Sequence, residues 1–101
     1  MEDVLQSIVD RIVRAANPDK IILFGSRAQG GQAADRDYDI LVLKAGEYHR
    51  RELAHKTYRE LVGIPAPVDV VVASPERAGQ YRDVPGFIYG EALKGRVLYE
   101  H

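Results

Sequence analysis

Two periods of apolar residues run through this chain, and the changes between them mark out its elements. Val4, Leu5, Ile8, Val9, Ile12, Val13 and Ala16 recur at helical spacing, with Glu2, Gln6, Asp10, Arg11 and Arg14 mostly on the other face. Asp3 is placed to cap this helix, and Asn17-Pro18 to stop it. The spacing then tightens: Lys20 to Phe24 is short, β-branched and bounded by a proline stop and Gly25, which predicts a buried strand. A short helical turn or loop is expected over 27–34, around Gly30 and Gly31, and a second strand over Tyr38 to Leu43.

A helix is predicted from about Tyr48 to Val62, with Leu53, Thr57, Tyr58, Leu61 and Val62 inward and Gly63 as its cap. Val68 to Val72 reads as a third strand, apolar enough to be buried on both faces. Ser74-Pro75 opens a short helix over Glu76 to Tyr81, as N-cap followed by N1. Phe87, Ile88, Ala92 and Leu93 predict a last helix closed by Gly95, before a terminal strand at Val97-Leu98-Tyr99. The order predicts an α/β (α+β) fold, a small mixed β-sheet flanked by helices.

Composition narrows this further. A chain of 101 residues is expected to form a single domain over 1–101. A net charge of −1 argues against a general nucleic-acid binder. The absence of cysteine excludes disulfides, thiolate metal sites and cysteine nucleophiles. His49, His55 and His101 lack zinc-ligand spacing. No apolar stretch approaches a membrane span, so a cytoplasmic protein is expected.

The candidate chemistry gathers where the first strand stops at Gly25-Ser26. Gly25 permits a sharp turn and a close approach to a ligand. Ser26 suits a helix N-cap, whose free N–H groups attract phosphate. Asp37 and Asp39, two apart on a strand, share a face, and such hard carboxylates beside a phosphate-type turn suit Mg²⁺ and a nucleoside triphosphate. Asp69 is the anomaly in a valine-rich strand, where a carboxylate is costly unless paired or bound to a cation. A bland reading stands beside each: Asp69 caps a strand end in water, and Asp37 and Asp39 form a surface ion pair with Arg36.

Taken together, Gly25-Ser26, Asp37-x-Asp39 and the later Asp69 resemble the signature of the DNA polymerase β-type nucleotidyltransferases. The size and the segment Gly25-Ser26-Arg27-Ala28-Gln29-Gly30 resemble the minimal nucleotidyltransferases, antitoxins paired with HEPN-domain toxins. The resemblance implies a polymerase β-like core in which Gly25, Ser26 and Arg27 bind the triphosphate. It implies that Asp37 and Asp39 hold metal, with Asp69 as third carboxylate near the attacking hydroxyl. It further implies two Mg²⁺ ions, ATP as substrate and a HEPN toxin as partner in a hetero-oligomer, with AMP moved onto a toxin tyrosine. Neither direct nucleic-acid binding nor a membrane is expected.

The chain departs from the family at Gln29, where arginine is common, and at Arg36, where serine is common. Arg50 and His55 imitate the ribonuclease motif of HEPN proteins, but they fall on a basic helix with Arg51, Lys56 and Arg59 that suits a partner-facing stripe. With Tyr48, Tyr81, Tyr89 and Tyr99, that stripe is expected to meet a protein. The alternative from another class is a non-catalytic antitoxin that occludes its toxin. Small-molecule modification is disfavoured because no second domain supplies an acceptor site.

Overall fold

The computed structural model describes residues 3–25 and 37–101. The elements are α1 (Asp3–Ala16), β1 (Lys20–Phe24), β2 (Tyr38–Leu43), α2 (Arg50–Glu60), β3 (Val68–Ala73), α3 (Pro75–Gln80), α4 (Tyr89–Leu93) and β4 (Arg96–Glu100). The strands form one mixed sheet in the order β3-β2-β1-β4. β1 is antiparallel to both β2 and β4, while β2 and β3 run parallel. The mixed sheet flanked by helices is the architecture expected.

Alternation along the strands divides the core in two. Ile21, Leu23, Ile40, Val42, Val70 and Val72 turn to one face and pack with Leu5, Ile8 and Ile12 of α1 and with Leu61 beyond α2. Ile22, Phe24, Leu41, Leu43 and Ala73 turn to the other, under Ala78 of α3 and Tyr89 and Ala92 of α4. Ile8, Ile12, Ile21 and Ile40 have no exposed surface, and each such side chain contributes roughly 1.5–3 kcal/mol by leaving water.

Helix ends follow local chemistry. Asn17 takes the left-handed conformation (φ 48°) and donates its N–H to the Val13 carbonyl at 2.9 Å, ending α1 before Pro18. Gly63 turns the chain after α2 at φ 99°. The Ser74 hydroxyl accepts from the Arg77 N–H at 3.0 Å, with Pro75 at the first helical position. Arg11, expected on the outer face of α1, donates to the carbonyls of Glu60 (3.0 Å) and Val62 (2.7 Å). It thereby satisfies the open end of α2 and ties the two helices together.

Four expectations need correction. The helix expected over 48–62 is shorter, and Val62 is 74% exposed because the chain has already left the helix. Tyr58 is 41% exposed; its hydroxyl accepts from the Val70 N–H at 2.8 Å and donates to the Val70 carbonyl at 3.4 Å. The last helix starts at Tyr89, leaving Phe87 and Ile88 in the preceding turn and half exposed. β3 is an edge strand with Val68 and Val71 only partly covered, so it is not buried on both faces.

Candidate functional site

The pairing registers carry one end of the sheet into a cluster of acids. β1 runs opposite to β2 and β3, so its last residue meets their first ones. Phe24 pairs with Asp39, and Asp39 with Asp69. Paired residues share a face, so Asp39 and Asp69 continue the row formed by Leu41, Leu43, Val71 and Ala73. An apolar floor therefore ends in carboxylates, held on backbones about 4.8 Å apart. The starts of the two parallel strands are fastened by the Tyr38 N–H, which donates to the Pro67 carbonyl at 3.0 Å.

Gly25 completes this corner. It stands directly after β1 with φ 81°, in the left-handed region. A Cβ built there would lie 2.5 Å from Asp39 Oδ2 and 3.4 Å from its Cγ. The space a side chain would fill belongs to the Asp39 carboxylate. Gly95, read from sequence only as a helix stop, allows a second close approach. A Cβ on Gly95 would overlap the Leu23 carbonyl, so its absence lets the turn into β4 close on the end of β1.

Asp39 is half-buried, Asp37 is exposed just before β2, and Asp69 is exposed as the second residue of β3. Asp69 is therefore not the buried carboxylate that its valine neighbours suggest, but an exposed residue at the rim. The structure brings Gly25, Asp39 and Asp69 to one corner, with Asp37 immediately before β2. Among the described residues, no three His, Cys, Asp or Glu side chains close into a metal-binding group. Ser26 and Arg27, with Gly30, Gly31, Gln29, Arg36 and the turn expected over 27–34, lie outside the described residues. The donors at the corner are hard carboxylate oxygens, which fit Mg²⁺. That ion commonly takes one or two carboxylates and completes its shell with phosphate and water rather than a full protein cage.

A four-stranded mixed sheet with carboxylates against a glycine turn at one strand end has the form of a nucleotidyl-transfer domain. The family model described as "Polymerase beta, Nucleotidyltransferase" matches residues 6–101, and the chain belongs to that family. Among solved structures, it is similar to a chain of a mutant MntA–HpeT toxin–antitoxin complex, with 28% identity and a TM-score of 0.51. The match covers 92% of this chain and 70% of the other. No curated protein matches significantly. Among the described residues, no helix is long and apolar enough to cross a membrane.

Proposed function

We propose that this chain is the antitoxin of a toxin–antitoxin pair and acts as a cytoplasmic protein adenylyltransferase. It would transfer AMP from ATP to a tyrosine of a cognate HEPN toxin, with the 101 residues working as one domain within a hetero-oligomer. The observation that carries this reading is the corner itself: Gly25 is opened to the Asp39 carboxylate, and Asp39 stands in register with an exposed Asp69. The family and the likeness to a toxin–antitoxin component support it.

In this mechanism the tyrosine oxygen attacks the α-phosphorus of ATP. A P–O bond forms to tyrosine, the bond to the β-phosphate breaks, and pyrophosphate leaves. Asp37, Asp39 and Asp69 are the residues that would hold Mg²⁺, two ions in the full site. Bound Mg²⁺ would supply charge neutralisation on the triphosphate and on the departing pyrophosphate. Gly25, Ser26 and Arg27 are the residues that would bind the phosphates, through close backbone approach, a hydroxyl and a guanidinium respectively. Asp69, at the water-facing rim, orients the incoming hydroxyl and takes its proton. Its exposure suits an acceptor that arrives on another protein.

The test is to express the product of the neighbouring reading frame, incubate it with this chain, ATP and Mg²⁺, and weigh it intact. An AMP-sized adduct on a tyrosine is expected. A partner that is inhibited but unmodified would replace transfer by occlusion.

A further inference from the structure

Beside the acidic corner, the edge of the sheet carries a feature that the transfer reading does not use. A groove of about 460 Å³ lies along β3 between α2 and α4, lined by Arg50, Arg51, Val71, Val72 and Tyr89 among others. Val71 stands two residues beyond Asp69 on the same face, so the groove begins about 7 Å from the candidate base along the strand. Arg50 and Arg51 are the first two residues of α2 and both are exposed. Cations are disfavoured in a helix's first turn by the macrodipole. Among the described residues neither makes a salt bridge; the pairs found are Arg14–Glu60 and Lys20–Glu100. Two cations are thus held against the helix dipole with no salt-bridge partner among the described residues, beside the exposed carboxylate expected to meet the acceptor.

We infer that this groove is the docking site for an acidic segment of the acceptor protein, leading the acceptor hydroxyl to Asp69. The inference rests on the transfer reading for the role of Asp69 and on charge complementarity for the occupant. The segment would engage through its side chains rather than by adding a strand. Val70 and Val72 are only 8% and 4% exposed, and the Tyr58 hydroxyl already occupies the edge hydrogen-bonding groups of Val70. The floor of Val71 and Tyr89 gives the segment an apolar seat, and the arginines supply charge-assisted bonds to its carboxylates.

The experiment titrates the isotope-labelled full chain with a synthetic peptide in which glutamates flank one tyrosine. Its glutamine counterpart and a uridine hexanucleotide serve as comparison ligands. The glutamate peptide should shift the amides of Arg50, Arg51 and Val71 and bind about tenfold more tightly than the glutamine peptide. R50E/R51E, two exposed changes outside the transfer site, should remove about that tenfold and flatten the salt dependence. Equal binding of the two peptides, no shift at these amides, or tighter binding of the hexanucleotide there would overturn the inference. Incubation with ATP and Mg²⁺ tells its failure from that of the transfer reading. AMP on the peptide without shifts along β3 removes the docking site and leaves transfer standing. Docking at β3 with no AMP adduct on peptide or partner removes transfer and leaves an acidic-segment site.

Discussion

Replacing Gly25 by alanine should separate the stability of the acidic corner from its chemistry. The added methyl meets two obstacles. At φ 81° the backbone is left-handed, which costs a residue with a Cβ about 1–2 kcal/mol. The methyl would also lie 2.5 Å from Asp39 Oδ2, well inside contact distance. That oxygen is the end of a short side chain, so the carboxylate can rotate away and the fold survives. For a chain of this size each kcal/mol lowers the melting temperature by roughly 4–8 °C, readable by circular dichroism. Binding should suffer more. If Asp39 holds metal, turning it away should weaken Mg²⁺-dependent ATP binding about tenfold or more by calorimetry, about 1.4 kcal/mol per decade. A double-mutant cycle assigns the loss: in an Asp39→Asn background, Gly25→Ala should still lower the melting temperature but should barely change ATP binding. If Gly25→Ala binds ATP and Mg²⁺ like wild type, or weakens binding equally in both backgrounds, the contact between glycine and carboxylate has no part in the site.

Three smaller changes probe the rest of the account. Ser26→Ala should slow AMP transfer about tenfold while leaving the melting temperature unchanged, since a bond to a charged group contributes roughly 1.5–3 kcal/mol; transfer within about twofold of wild type would remove Ser26 from the phosphate site. Ser74→Ala removes the acceptor for the Arg77 N–H and should cost about 1 kcal/mol in urea unfolding without touching ATP binding. Tyr58→Phe takes away the hydroxyl that serves Val70 at the edge of β3 and should cost about 1 kcal/mol, with faster hydrogen exchange at the Val70 amide; an unchanged exchange rate would show that water serves as well.

Much of the frame could be read from local pattern. The short apolar runs at 20–24 and 38–43 marked their strands to the residue, because a brief apolar run and the turn residues that bound it are local signals. Ser74-Pro75 likewise carried its own cap. What stayed hidden depends on register and on neighbours distant in sequence. Nothing near Gly25 announces that its missing side chain makes room for Asp39, since that follows from the pairing of Phe24 with Asp39. Asp69 was singled out for the right strand but the wrong reason. Valines on both sides suggested burial, whereas β3 lies at the sheet edge and its second residue faces water. Arg11 looked like a surface charge because its partners, the carbonyls of Glu60 and Val62, are about fifty residues away. Phe87 and Ile88 fit a helical stripe, yet Phe87 stacks on Tyr81 with ring centroids 4.6 Å apart, and the helix waits until Tyr89.

Asp69→Asn decides whether these carboxylates perform chemistry or line a contact surface. Asparagine keeps the size of the side chain at an exposed position, so folding and partner binding should be preserved. The neutral amide is a poor base and a poor metal ligand. The measurement is the intact mass of the partner after incubation with ATP, Mg²⁺ and either protein, alongside calorimetric binding of ATP and of the partner. An AMP-sized adduct is expected with wild type and none with Asp69→Asn, although the variant still binds both ligands. An equal adduct from the variant, or protection by wild type of a partner whose mass never changes, would contradict it.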